Sequence, residues 1–177
     1  MILPWPAASS WVLAVKGYLD MMLRRAGRAR GRGTMQDEVK KLFARYERLV
    51  NLALQGAVEM EELASLYSSE FIGAAPAGVR TGKNDDQFRK VMAQGYERYR
   101  AIGTKDMRIR AIRFSAIDPL HCMAHIAWVA SYARKDGAEI AIEFDVHYLV
   151  QVLNGDPKVF GWISGDEEAL LKQHGIV

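Results

Sequence analysis

Cysteine is nearly absent from this sequence, since Cys122 is the only one among 177 residues. A single thiol excludes an intramolecular disulfide and a thiolate metal cluster within one chain. No neighbouring cation or helix start lowers the pKa of Cys122, so we expect a buried, unreactive thiol. The lack of disulfides is compatible with a reducing compartment, and we expect a cytoplasmic protein.

The sequence also lacks an uninterrupted apolar run of the length that a membrane-spanning helix needs, about 20 residues. The apolar run at residues 2–15 ends at Lys16. An Arg/Gly-rich segment, residues 24–33, follows it, which reverses the charge order of a secretory signal. We therefore expect neither a transmembrane segment nor a secretory signal.

Acidic residues are scarce at the beginning of the chain. Residues 1–34 carry six basic side chains and one acidic side chain, whereas residues 35–177 carry 18 basic and 20 acidic ones. The overall charge of +3 therefore comes from the first fifth of the chain. Because the rest is mildly acidic, we do not expect it to bind nucleic acid through bulk charge.

Three interpretations of residues 1–34 stay open. In the first, the segment is not part of the mature protein, because Met35 begins a well-formed helix pattern as a start codon would. In the second, it is a weakly ordered arm for a membrane surface or an organelle. In the third, it is an arm that binds nucleic acid electrostatically. Aromatic residues are not interleaved among its arginines, which disfavours the third. We divide the chain into an N-terminal extension, residues 1–34, and one domain, residues 35–177.

Three segments show apolar residues at the i, i+3, i+4 and i+7 spacing of amphipathic helices. The first covers residues 36–55 and the second, which is short, covers residues 59–68. The third runs from a cap at Asn84 or Asp85 to about residue 102. All three precede the main run of strands.

After Gly103 the apolar period changes from 3.6 to 2, which predicts strands. We expect them over residues 105–117, 120–134, 139–153 and 158–164, with a short strand pair within residues 71–84. The alternation slips by one residue within the first of these strands, which is typical of a β-bulge. Asp136-Gly137 and Asn154-Gly155 predict hairpin turns, and residues 166–173 predict a short C-terminal helix.

Helices followed by strands predict an α+β fold with the helices on one face of a curved sheet. Three features carry a family resemblance: a first helix that ends at Gly56, the segment ELASLYSSEFIGAAPAG after it, and an Asn154-Gly155 turn before a last strand and the Gly165-Asp166-Glu167 ending. Over roughly residues 36–170 this order resembles the nuclear transport factor 2-like superfamily, which includes SnoaL-like polyketide cyclases and ketosteroid isomerases.

The resemblance implies a cone-shaped cystatin-like roll, in which three N-terminal helices pack on a strongly bent antiparallel sheet around a mostly apolar pocket. It also implies a homodimer that forms through the outer face of the sheet.

One catalytic residue of the isomerase branch is missing. By the resemblance, that branch uses an Asp base just before the loop proline, a tyrosine from the first helix and a carboxylic acid on a strand. Tyr46 occupies the helical position, with core packing as the alternative. Ala75 precedes Pro76, however, and residues 71–80 contain no carboxylate. Without a base to abstract a proton beside a carbonyl, we do not expect ketosteroid isomerase activity.

The strand at residues 139–153 offers a candidate acid–base pair to accompany Tyr46. In the turn register that the resemblance implies, Asp145 and His147 lie on the pocket side, where the carboxylate would tune the imidazole. The continuous apolar face of the strand would then lie outside and be covered by a dimer partner. In the alternative, the apolar face packs on the helices, and Asp145 and His147 face solvent or the dimer contact.

Aromatic side chains are the candidate ligand-binding residues, with core packing as the alternative for each. We expect the pocket to be lined by Tyr67, Tyr96, Trp128, Tyr132, Phe160 and Trp162. His121 and His125 have a metal-binding spacing for a helix, but on a strand they lie about 13 Å apart. We therefore expect no metal and no cofactor.

Two hypotheses of function follow. In the first, this is a SnoaL-like pocket protein that binds or transforms a small apolar or carbonyl-bearing molecule, as a cofactor-independent isomerase, cyclase or dehydratase if it is an enzyme. Tyr46, Asp145, His147 and Trp162 would face that molecule. In the second, it is a non-catalytic homodimeric interaction module with a filled core. A cavity between sheet and helices would favour the first.

Overall fold

The computed structural model describes residues 33–134 and 137–177. The predicted N-terminal extension lies outside these residues up to residue 32, as does Asp136 of the first predicted hairpin turn. From Thr34 onward the chain forms one unit. Among its described helices, none combines the length and the apolar character that crossing a bilayer requires.

Three of the four described helices begin at a residue whose side chain caps them, and the short second helix has no side-chain cap. They are α1 (Met35–Leu54), α2 (Met60–Ala64), α3 (Asp86–Ala101) and α4 (Glu167–Gln173). Thr34 and Asp37 form a reciprocal capping box at the start of α1, and the carboxylates of Asp85 and Asp166 cap α3 and α4. Each cap satisfies backbone N–H groups that the first helical turn leaves unpaired. The second helix is shorter than predicted because a strand begins at Tyr67.

Six strands form one sheet, in the order β2-β1-β6-β5-β4-β3. They are β1 (Tyr67–Ala75), β2 (Gly78–Lys83), β3 (Thr104–Ala116), β4 (His121–Ala133), β5 (Glu139–Leu153) and β6 (Asp156–Ser164). The predicted bulge in β3 is confirmed between Ile109 and Ala111. Neighbouring strands are antiparallel except β1 and β6, which run parallel. The α+β class with helices on a sheet is thus as predicted.

The inner face of the sheet is the apolar one. On β5, Val146, Tyr148 and Val150 are buried against the helices, whereas Asp145 is exposed and His147 is partly exposed. The register that placed Asp145 and His147 on the pocket side was therefore wrong. Burying each large apolar side chain contributes about 1.5–3 kcal/mol, so the apolar face must pack on the helices, and strand alternation then turns the polar face outward.

Side-chain hydrogen bonds hold the helices over the sheet. Asn51 of α1 pairs with the backbone of Met107 on the edge strand β3, donating from Nδ2 to the carbonyl over 2.7 Å and accepting from the N–H at Oδ1 over 2.9 Å. Arg100 of α3 donates to the carbonyl of Ala53 near the end of α1 over 2.7 Å. These contacts set the distance between α1, α3 and the sheet, and hence the space between them.

Candidate functional site

A cavity of about 460 Å³ lies between the inner face of the sheet and helices α1, α3 and α4. Its wall is mainly aromatic, and it includes all six tyrosines of the described residues. The rings are those of Tyr46, Tyr67, Tyr96, Tyr99, Trp128, Tyr132, Phe144, Tyr148 and Trp162. A pocket of this size that is apolar with a few polar groups is typical of small-molecule sites.

Tyrosine hydroxyls at the centre of the wall interact with one another. The hydroxyls of Tyr46 and Tyr67 are 2.7 Å apart and share a hydrogen bond, and the ring of Tyr46 meets that of Tyr148 edge-on at 5.8 Å. Burial raises the pKa of Tyr46, although its hydrogen bonds to Tyr67 and Tyr148 oppose that shift. Burial also raises the pKa of Tyr67 and of Tyr148 well above the usual value. These hydroxyls stay protonated at neutral pH and can donate hydrogen bonds.

Glu167, the first residue of α4, brings negative charge to the cavity. Burial raises the pKa of Tyr99, and the charge of Glu167 and its hydrogen bond with the Tyr99 hydroxyl raise it further. Burial and the same carboxylate raise the pKa of Tyr132 to about 12. Glu167 is itself exposed, so it lies at the rim of the cavity.

Trp128 is buried in the wall, with 1% of its side chain exposed. Its Nε1–H lies beside the Tyr148 hydroxyl, and their interaction opposes the rise in the pKa of that hydroxyl. Because Nε1 itself is buried, Trp128 contributes its ring to the wall and no free donor.

Most of the predicted pocket residues line the cavity, and Phe160 does not. The residues of that prediction that line the cavity are Tyr46, Tyr67, Tyr96, Trp128, Tyr132 and Trp162. Phe160 lies on the outer face, edge-on to His121 at 6.0 Å. Its placement follows from a bulge: Leu149 pairs with Gly161 and Val150 with Val159, so Phe160 is the extra residue and the alternation of β6 reverses there.

The predicted acid–base pair does not converge on the cavity. His147 contacts His125 of β4 on the outer face, with the two Nδ1 atoms 3.1 Å apart. Asp145 borders the cavity wall, yet its charge acts on His125. Burial, His147 and Arg113 lower the pKa of His125, and the charge of Asp145 opposes that lowering. His147 therefore pairs with His125 on the outer face, and Asp145 lies near that pair.

His121 and His125 lie on a strand, as predicted. His121 Nδ1 is 2.9 Å from the Asp118 carboxylate, and its Nε2 is 2.8 Å from the amide nitrogen of Gln151. Over residues 33–134 and 137–177, no three His, Cys, Asp or Glu side chains come together as a metal site.

The cavity is also lined by Tyr148, Tyr99 and Glu167, which were not assigned to it from the sequence. Tyr148 is on the face of β5 that was assigned to the outside. Tyr99 follows Tyr96 by three residues on α3, and that spacing places both on one helix face, so the signal was present. Glu167 was interpreted as a helix-dipole residue and as part of the Gly165-Asp166-Glu167 ending.

With this geometry in view, comparisons with known proteins give a consistent result. The model of a family described as NTF2-like protein (DUF6841) matches residues 37–167, which is more than half of the chain. No curated protein matches the chain.

Solved structures resemble the chain at low identity. An NTF2-like protein with a cystatin-like fold from Novosphingobium aromaticivorans is 14% identical, covers 90% of this chain and 94% of its own, and has a TM-score of 0.56. A protein from Catenulispora acidiphila in complex with S-DNPA is 13% identical, with 78% and 97% covered and a TM-score of 0.57. A provisionally named scytalone dehydratase from N. aromaticivorans is 14% identical, with 72% and 80% covered and a TM-score of 0.53.

At these identities the solved structures establish the fold alone. Together with the family match over residues 37–167, they show that the chain belongs to the family of NTF2-like proteins (DUF6841) and has its cystatin-like fold.

Proposed function

We propose that the protein binds a small, largely apolar molecule in the tyrosine-lined cavity. The observation that carries this proposal is the cavity itself, because a filled core would have left no volume of about 460 Å³ between sheet and helices. Protein interiors are otherwise packed with few voids larger than a water molecule. The protein from C. acidiphila, whose structure holds S-DNPA, supports the same use of this fold.

Hydrogen-bond donors in the wall favour a ligand with an oxygen acceptor. Hydrogen bonds among Tyr46, Tyr67 and Tyr148 use two of their three O–H protons, and the third can donate to a carbonyl, hydroxyl or ether oxygen. We propose ligand binding rather than base-catalysed chemistry, because Ala75 occupies the position of the isomerase base and His147 lies on the outer face.

A cavity-filling variant tests the proposal. Leu170 lines the cavity, so Leu170→Trp should occupy it, whereas Leu153→Trp adds the same ring at an exposed position. Ligands from a panel of apolar carbonyl and phenolic compounds should raise the melting temperature of the wild type and of Leu153→Trp but not of Leu170→Trp. Circular dichroism verifies that both variants fold. Equal shifts in all three proteins would place the ligand elsewhere.

We further propose that a second copy of the chain covers the outer face of the sheet. A row across this face joins Ile163, His147, His125 and Arg113 on four adjacent strands. Ile163 is 43% exposed there. Arg113 and the nearby Asp145 give the face both charge signs, which suits an isologous contact, where each copy meets the same surface.

The oligomeric state of an outer-face variant tests the dimer. Ile163→Asp should convert a dimer into a monomer in sedimentation velocity, because it buries an unpaired charge at the contact. Val79→Asp, at an exposed position on the edge strand β2, is the control and should leave the dimer intact. A wild-type monomer at all concentrations would contradict the proposal.

A further inference from the structure

Two histidines face each other across β4 and β5 on the outer face of the sheet. His125 and His147 are directly opposite in the strand register, and their Nδ1 atoms are 3.1 Å apart. Two imidazole nitrogens on one tetrahedral zinc ion, each about 2.0–2.1 Å from it, lie roughly 3.3 Å from each other. The histidine pair, His125 and His147, therefore has the separation of two ligands on one ion. The spacing of His121 and His125 along a single strand does not provide it.

A serine holds the other ring nitrogen of His125. The Ser115 hydroxyl lies 2.8 Å from Nε2 of this ring. In the tautomer with the proton on Nε2, that N–H donates to the hydroxyl oxygen, and the lone pair of Nδ1 is directed at His147. Histidine ligands of metals hold their second ring nitrogen in the same manner, which orients the ring. Ser115 thus supports coordination through Nδ1.

The surroundings of the histidine pair are mainly apolar. Met123 and Leu149 oppose each other two residues farther along the same two strands, and Ile163 is opposite His147 on β6. All three side chains are at least partly exposed on the single chain. Once covered, an apolar shell of this kind limits the access of water to a metal site.

The charged neighbours of the histidine pair offset each other. Arg113 is opposite His125 on β3, and Asp145 precedes His147 by two residues on the same face of β5. Their charges act on His125 in opposite directions. A cation bound at the pair therefore meets no net positive charge from these two residues.

One chain supplies only half of a closed metal site. Structural zinc sites have four ligands, and no third His, Cys, Asp or Glu joins the pair within residues 33–134 and 137–177. An isologous contact repeats the same residues across a two-fold axis. Two packed sheets lie about 10 Å apart, so side chains from both meet in the space between them. A second copy on the outer face therefore supplies two more imidazoles.

We propose that a zinc ion binds between two copies of the chain, held by Nδ1 of His125 and His147 from each copy. Four neutral imidazoles, each with its proton on Nε2, complete a tetrahedral site, and imidazole is a ligand that zinc prefers. This inference rests on the proposed dimer of the outer face and adds the ion that joins its halves.

Isothermal titration calorimetry and sedimentation velocity on the full chain test the shared site. The protein is freed of metal with EDTA, dialysed and titrated with zinc chloride. We expect one zinc ion per two chains. The monomer–dimer dissociation constant should be at least about tenfold lower with zinc than without it, because an ion that binds only the dimer stabilises it by mass action. Cobalt in place of zinc should show the visible absorption of a tetrahedral complex.

A matched set of histidine variants identifies the ligands. His125→Gln and His147→Gln should each weaken zinc binding by more than about 100-fold, since each removes two of the four ligands and even the outer partners of a ligand contribute tenfold or more. His174→Gln is the control and should keep the wild-type affinity, because His174 follows α4 and lies outside the sheet. Circular dichroism verifies that the variants fold.

The outcomes separate the metal from the dimer. A wild-type dimer that binds no zinc would overturn the shared site and leave the proposed dimer standing. One zinc ion per chain without dimerisation would overturn the contribution of the second copy. Unchanged zinc affinity in His147→Gln would overturn the role of the histidine pair. A monomer both with and without zinc would contradict the shared site and the proposed dimer together.

Discussion

Strands β4 and β5 present two unlike surfaces, although each surface is made from alternate residues of the same paired segment. The inner surface includes Ile126, Trp128 and Tyr148, which are buried and partly aromatic. The outer surface includes His125 and His147, which are polar and partly exposed. The two histidines of these strands therefore lie on the side away from the cavity.

The difference teaches that chemical character alone does not locate a site on a strand. A carboxylate two residues from a histidine has the composition of an acid–base pair, as at Asp145 and His147. Because side chains alternate between the two faces of a sheet, His147 points away from the cavity, and the exposed Asp145 only borders it. The wall of the cavity is instead made mainly of aromatic residues, six of them tyrosines.

Substitution of neighbouring residues on β4 should give the largest contrast between the two faces. Ile126→Ala removes a side chain that is 0% exposed and should lower the free energy of unfolding by about 2–5 kcal/mol, because a cavity is left in the core. His125→Ala, on the outer face, should cost less than about 1 kcal/mol. Urea denaturation of both variants measures the contrast, and equal losses would show that the outer face is also packed.

Loss of one hydroxyl on each face gives a smaller contrast. Tyr46→Phe breaks the 2.7 Å hydrogen bond with Tyr67 and leaves a partly buried hydroxyl unpaired, at a cost of about 1–3 kcal/mol. Ser115→Ala breaks the 2.8 Å contact with His125 on the exposed face and should cost less than about 0.5 kcal/mol. The order of the two unfolding midpoints checks this, and a reversed order would contradict it.

Acidification should destabilise the protein slightly through the outer face. Burial, His147 and Arg113 lower the pKa of His125, and Asp145 opposes them. The unfolded chain, with a histidine pKa of about 6.5, therefore binds the proton more readily than the folded chain. Stability should fall as the pH drops through about 6.5 toward the lower folded pKa.

Melting temperatures measured between pH 7.5 and pH 5.5 test this effect. His125→Gln should show a flatter pH dependence than the wild type, whereas the control His174→Gln, on a different part of the chain, should retain the wild-type slope. A slope that does not change in His125→Gln would assign the pH dependence to other groups.

The smallest expected effect is on ligand binding by a histidine of the outer face. His147→Asn should leave the dissociation constant of a cavity ligand within about twofold of the wild type, because His147 contacts His125 on the outer face. Leu170→Trp, in the cavity wall, is the comparison that should abolish binding. A comparable loss of binding in His147→Asn would show that the two faces are coupled.

Local patterns were sufficient for much of the fold. The 3.6 period predicts α1 and α3, and the change of period at Gly103 predicts the long strands. The one-residue slip in β3 is visible in the sequence because Arg110 and Arg113 change parity there, and the bulge lies at that point. Helix and strand signals of this kind arise from residues close in the chain, so they need no knowledge of partners.

Other features depended on contacts between distant segments. The parallel pairing of β1 with β6 and the bulge that turns Phe160 outward leave no periodic signal of their own. The register of the Asn154-Gly155 turn led to the wrong choice of inner face on β5. Packing against α1 decides that face, because the continuous apolar surface gains most by leaving water.

The sequence by itself determined that the chain is α+β, that its single Cys122 forms no internal disulfide, and that aromatic residues are concentrated in the helices and strands of one domain. The tertiary structure alone decided which of those residues meet. Tyr46, Tyr99, Trp128 and Glu167 come from four elements that are distant along the chain. They surround one cavity because the helices pack across the inner face of the sheet, and the same packing places His125 and His147 on the other side.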